Sequence, residues 1–235
     1  MNSDEIFERR DLFNKIIVGY TVNSQRLFDI YSVIPDYPCP TLLTENGVDL
    51  SIFKPNNLER YQKNGNKPLV IGWAGNSKWA ADKEDFKGFH SILMPAIEQL
   101  KFEGLNLETC FADRQEGFIP HVEMPDYYSK IDIYVCPSKI EGTPNPIMEA
   151  MACGVPIITT DVGVVPQVFG DLQKNFIVAE RTVDAFVVKL RDLYHKRQVL
   201  LGQLSSENLQ SIKAWDWSIK VKNYAHFFDV ILAKR

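Results

Sequence analysis

The amino-acid sequence predicts an α/β fold organised as a doubly wound parallel sheet. Three observations carry the prediction. Residues 69–74, Leu-Val-Ile-Gly-Trp-Ala, form an apolar run of strand length, as expected of a strand covered on both faces. Shorter strand-like runs follow at 107–112, 133–136 and 155–159, and each leads into turn residues: Asp113-Arg114, Pro137-Ser138 and Thr160-Asp161. Helical stretches fall between and after them, at 86–100, 124–131, 145–153, 181–197 and 216–232. Strands alternating with helices argue for a parallel sheet. Ligands of such sheets bind beyond the carboxyl ends of the strands, so Gly75 and the three turns mark the functional edge.

Upstream of this regular pattern the elements are shorter. Residues 4–14 read as a helix, 15–20 as a strand and 24–31 as a second helix, ended by the Pro-rich stretch 34–40. Residues 41–44 read as a small strand. Asn46-Gly47 is a turn signal because both residues tolerate positive φ. The polar stretch 55–67 reads as a loop or linker, and no internal repeat is evident.

Bulk composition excludes several classes of function. The 235 residues are 45% hydrophobic and 24% charged, the balance of an ordinary globular protein. A formal net charge of -4 gives no global field for nucleic acid or an anionic membrane. The four cysteines show no CxxC or Cys/His spacing, and no His/Cys or Asp-x-Asp grouping suggests a metal. Buried thiols in a reducing cytoplasm are the simplest reading. No apolar run approaches the 18 or so residues of a membrane span, and the start, MNSDEIFERRDLF, lacks a signal-peptide core.

The segment EGTPNPIMEA carries the chemistry. It places Glu141 beyond a strand, Glu149 about one turn into a helix, and a Pro-stiffened turn between them. A proline at the start of a helix sacrifices no hydrogen bond, because the first amides are unpaired. The amides of Asn145, Ile147 and Met148 would then face outward at a helix end that suits a phosphate. Glu149 could hold vicinal hydroxyls such as those of a ribose, each charge-assisted bond contributing roughly 1.5–3 kcal/mol. An isolated pair of glutamates at this spacing would ordinarily be a solvated loop residue and a helix-start residue. Its place at a strand-to-helix turn gives it more weight.

From Pro137 to Gly163 the sequence resembles the signature of retaining GT-B glycosyltransferases of family 4, with its E-x7-E pair and following helix-strand junction. Two further pieces agree in order. Asn46-Gly47-Val48-Asp49 with Phe53 and Pro55 resembles the family's interdomain hinge. Ile71 to Gly75, followed by Lys87-Gly88, resembles its nucleotide-diphosphate loop. The resemblance implies a Rossmann-like, carboxyl-terminal GT-B domain that binds a nucleotide-sugar donor, a UDP- or GDP-sugar, without a metal. Glu141 would face the donor sugar, Lys87 the departing diphosphate and Glu149 the ribose. Gly75, Gly142, Thr143, Asn145, Pro146 and Ile147 would line the sugar and diphosphate. Arg114, His121 and Val122 are candidates near the diphosphate and base.

This sequence departs from the family at Asn76, where an arginine is usual, and at Gln167, where an acidic residue is usual. Asn cannot make a bidentate ionic contact with phosphate, and Lys78 is the candidate to supply the charge. Residues 1–46 match only the end of an amino-terminal GT-B domain with the hinge. Residues 47–213 then form the donor domain and 214–235 a closing helix. The other GT-B domain, in the same or another chain, is an expected partner, as is a saccharide or lipid acceptor; any membrane contact would fall to that domain. An inactive nucleotide-sugar-binding module and a nucleotide-sugar epimerase are the alternatives. A dinucleotide oxidoreductase is disfavoured because no Gly-x-Gly-x-x-Gly fingerprint occurs.

Overall fold

A computed structural model describes residues 3–35, 37–62, 67–80 and 82–233. The chain opens with helix α1 (Ser3–Ile16), strand β1 (Thr21–Val22), helix α2 (Gln25–Ser32) and strand β2 (Leu42–Leu43). Ser24 caps α2, its hydroxyl accepting from the Leu27 amide at 3.2 Å. The strand expected at 15–20 does not form. Helix α1 runs on through Lys15 and Ile16, Ile17 and Val18 are exposed, and pairing starts only at Thr21 opposite Leu42. An apolar run becomes a strand only where a neighbouring strand can take its hydrogen bonds.

Asn46 and Gly47 make no left-handed turn. They continue from β2 to Val48, which bridges Asp216 in the closing segment. Gly47 is small for a different reason: a Cβ there would stand 2.8 Å from Trp217 Cα. Within the stretch read as a loop, Leu58–Tyr61 forms a 3-10 turn that buries Tyr61, while residues 63–66 lie outside the described residues.

The main sheet contains β3 (Leu69–Gly75), β4 (Leu107–Asp113), β5 (Ile133–Cys136), β6 (Ile157–Thr160) and β7 (Ile177–Val178), in the order β4-β3-β5-β6-β7. Every pairing is parallel. The chain moves outward from β3 to β4, then returns to β3's other side as β5. That reversal places a crevice beyond the ends of β3 and β5.

Strand alternation divides the core. Ile133 and Val135 face one cluster, with Trp73, Leu93, Ile97 and Phe186; Tyr134 and Cys136 face the other, with Tyr128, Ile147, Met148 and Met151. The first face is covered by α3 (Met94–Phe102) and α8 (Val183–Ser211), the second by α4 (Met124–Tyr128) and α5 (Asn145–Ala152). Each fully buried aliphatic side chain contributes about 1.5–3 kcal/mol, so both faces stabilise the sheet substantially. Two short helices, α6 (Val165–Val168) and α7 (Asp171–Lys174), lead to β7, and α9 (Trp217–Leu232) closes the described chain. Cys136 and Cys153 are buried as expected, whereas Cys39 is exposed on its Pro-rich turn.

Candidate active site at the strand edge

The loop after β3 carries Lys87 into a left-handed Gly88 and a π-helical turn, Phe89–Leu93. Asp85 fixes this path, accepting from the amides of Gly88, His90 and Ser91 at 2.8–2.9 Å and from the Ser91 hydroxyl at 3.0 Å. Partial burial works against its charge, but those donors outweigh it and hold the carboxyl below its ordinary range. The loop after β5 carries Glu141. There the Thr160 hydroxyl donates to the Ser138 carbonyl at 2.5 Å. The two loops bring Lys87 Nζ to 2.7 Å from Glu141 Oε1, with both side chains mostly buried.

Glu149 lies on α5, one turn inside the helix. Its Oε2 accepts from the buried Tyr128 hydroxyl at 2.8 Å, and His121 Nε2 stands 3.6 Å from Oε1. Burial raises the carboxyl's pKa, with Tyr128 and His121 acting in the opposite direction. Beside it opens a cavity of about 350 Å³ whose lining includes Gly75, Arg114, His121, Asn145, Pro146 and Glu149. These are six of the residues singled out from sequence, drawn from the end of β3, the segment between β4 and α4, and helix α5.

Other candidates are placed differently. Thr143 is buried, its hydroxyl donating to the Asn23 carbonyl at 2.7 Å and accepting from the Asn46 amide at 3.2 Å. Gly142 packs so closely on Asn23 that a Cβ would stand 2.0 Å from Asn23 Oδ1. Both therefore tie the loop to the amino-terminal segment. Asn76 Oδ1 accepts from the Lys78 amide at 3.0 Å and from Gln115 Nε2 at 2.8 Å, so it builds a turn. Lys78 and Val122 are exposed, and neither lines the cavity.

The expected row of outward amides is corrected as well. Ile147 and Met148 both donate to the Pro144 carbonyl, at 2.9 and 3.3 Å, and both residues are fully buried. The Ile147 side chain instead lines a narrow cleft beside Lys87 and Glu141. Sequence reasoning missed Tyr128, Phe118 and Ile119. A tyrosine at an apolar helix position reads as packing, and only the fold brings its hydroxyl to Glu149. Among the described residues no three His, Cys, Asp or Glu side chains form a metal cage, and no helix is long and apolar enough to cross a membrane.

The family described as "Glycosyl transferases group 1" matches residues 104–208, a span that includes β4, β5, β6 and both glutamates. Over that span the chain is similar to the glycosyl transferases group 1 family. Within 58 residues, 25% of this chain, it is 41% identical to the O-antigen chain mannosyltransferase B of Escherichia coli, covering 15% of that protein. Over 78 residues, 32% of this chain, it is 36% identical to the lipopolysaccharide core biosynthesis mannosyltransferase LpsB of Rhizobium meliloti, covering 22% of it. The matches span between 15% and 44% of the curated relatives' lengths.

Two solved structures share the fold of this chain. HepE of Anabaena, in complex with UDP and glucose, superposes with a TM-score of 0.72 at 16% identity, covering 97% of this chain and 67% of that one. The carboxyl-terminal domain of the group 1 protein LpcC of Francisella tularensis superposes with a TM-score of 0.51 at 22% identity. That match covers 72% of this chain and 97% of the domain.

Proposed function

We propose that the chain forms the donor-binding part of a retaining glycosyltransferase, which moves a hexose from a UDP- or GDP-sugar to a saccharide or lipid acceptor. The observation that carries this reading is the placement of the Lys87–Glu141 pair and of Glu149 on either side of one helix start. Lys87 is neutralised by Glu141 until a diphosphate offers it a stronger partner. Its charge then stabilises the diphosphate as the bond from the sugar's anomeric carbon breaks and the bond to the acceptor oxygen forms on the same face, the acceptor hydroxyl's proton passing to the departing diphosphate oxygen. A cation that gains most as charge develops lowers the barrier rather than merely the dissociation constant. Glu141, released from the lysine, is left to take the sugar's hydroxyls, and the free lone pairs of Glu149 to take those of the ribose. Arg114 and His121 line the cavity where the nucleotide would continue.

On the same reading, residues 1–46 form the end and hinge of a second domain, residues 47–213 the donor domain and 214–235 the helix that returns to the second domain. The exposed apolar side chains of Leu12, Ile16, Phe228 and Leu232 support this division.

Relatives named as mannosyltransferases and a solved neighbour holding UDP leave two bases for the test. Thermal melting with UDP, GDP and their sugars at about a hundred times the dissociation constant should stabilise the chain by about 2.7 kcal/mol for the matching nucleotide. The gain should vanish in Glu149→Ala. A stabilisation that survives Glu149→Ala, or none with any nucleotide, counts against the reading.

A further inference from the structure

We infer that Arg181, on the loop between β7 and α8, is a positioning residue that holds Lys87 against Glu141 by bridging the two loops that carry them. Its importance for turnover rests on the donor-site reading above; the bridge itself does not.

Lys87 and Glu141 lie 54 residues apart and on separate strand ends, so nothing local fixes their approach. Arg181 reaches both paths. Its Nε donates to the Pro137 carbonyl at 2.7 Å, four residues before Glu141, and its Nη2 donates to the Asp85 carbonyl at 2.5 Å, two residues before Lys87. A guanidinium is planar and offers its donors in a rigid fork, so two such bonds set the distance between the carbonyls. An ammonium is a single flexible point and would satisfy one carbonyl or the other. Among the described residues Arg181 pairs with no carboxylate, so its charge is directed at these two backbone oxygens.

The loops are shaped to meet under it. Gly88 adopts φ +69°, and a Cβ there would stand 2.3 Å from the Pro137 oxygen. The Lys139 amide donates to the Phe86 carbonyl at 2.8 Å, and Lys139 Nζ bonds Glu84 at 2.7 Å on the exposed rim. The rim pair is open to solvent and contributes little. Arg181 is half-buried and, from a third loop, bonds the backbone of both.

The test reads the pair directly in the 235-residue chain. The rate of Lys87 acetylation, measured by peptide mass spectrometry, is compared in wild type, Glu141→Gln, Arg181→Gln and Arg181→Lys, with exposed Lys101 as internal reference. Glu141→Gln and both Arg181 variants should acetylate at Lys87 about fivefold faster, as expected when an ion pair is released. In parallel, Arg181→Gln should weaken binding of the diphosphate UDP or GDP about tenfold while leaving UMP or GMP within about twofold, because the lysine meets the outer phosphate.

Unchanged Lys87 reactivity in both Arg181 variants, with Glu141→Gln responding, overturns the inference even if both melt lower. A merely structural arginine would lower the melt alone. No response in Glu141→Gln also overturns it, since the pair would then be absent in solution. If Lys87 responds but neither diphosphate binds the wild type, the bridge stands and the donor-site reading falls.

Discussion

Burial works against the charge of Glu149, and that sets how the site responds to acid. Its folded pKa is raised above 4.5, first because burial penalises the charge. For a carboxylate whose folded pKa is raised, the sign is opposite to the usual one. The ionised group weighs against folding above the folded pKa, and that burden is lifted as pH falls through it. Ligand binding runs the other way, because ribose hydroxyls favour the charged carboxylate. Nucleotide affinity should therefore fall on acidification with a midpoint above 4.5. Glu149→Gln should flatten the profile; isothermal titration across pH 4.5 to about 7 would check this, and a midpoint at or below the ordinary value would refute it. Tyr128→Phe removes the hydroxyl bound to Oε2 at 2.8 Å, so it should move the midpoint upward. It should also lower stability by about 1–3 kcal/mol, read as a melting shift. No feature of the sequence near Tyr128 signals this bond, because it depends on α4 and α5 packing side by side.

At the scale of elements, two glycines beside the site make opposite predictions. Gly163 takes φ +52°, and a Cβ there would stand 1.7 Å from the Gly142 carbonyl oxygen. Gly163→Ala must displace the Glu141-Gly142 backbone and should cost at least about 2 kcal/mol, with nucleotide stabilisation reduced as well. Gly117 lines the cavity but has open space where its Cβ would lie. Gly117→Ala should stay within about 0.5 kcal/mol of wild type in urea melts. The contrast also explains what the sequence disclosed. Strands β3 and β5 were legible because each is covered on both faces and therefore written in apolar residues. The two-residue β7 was not, since Ile177 and Val178 owe their pairing to β6 and carry no pattern of their own. Helix α8 was expected to stop at 197 but runs to Ser211, held by its own buried residues Leu201, Leu204 and Asn208. The seven-residue spacing of the glutamates was readable directly. Which of the intervening residues face a ligand was not, because Thr143, Gly142 and the Ile147 amide are engaged by groups remote in sequence or set by the turn.

Across the whole molecule, the amino-terminal strip and the closing helix hold one another. Lys220 bonds Glu45 at 2.6 Å, and the Tyr224 hydroxyl lies 2.9 Å from the Thr44 carbonyl and 2.8 Å from Asn46 Oδ1, its one proton shared between the two oxygens. The Val48 and Trp217 amides complete the seam at 2.9 and 3.1 Å. A double-mutant cycle of Asn46→Ala and Tyr224→Phe should give a coupling of about 0.5–1.5 kcal/mol in denaturant titrations, and additive effects would contradict the bond. The strip also reaches the site. Asn23 and Asn46 both grip Thr143, and Arg26 donates to the Asp161 carbonyl at 2.7 Å. The two carboxylates consequently stand on different footings. Glu141 rides a loop moored to the strip, whereas Glu149 rides a helix seated on the sheet. On the donor-site reading, a swing of the strip would tug at the first directly and reach the second only through the 3.3 Å bond from Asn46 to Asn145, so a nucleotide would stay berthed while the hold on its sugar is loosened or drawn tight.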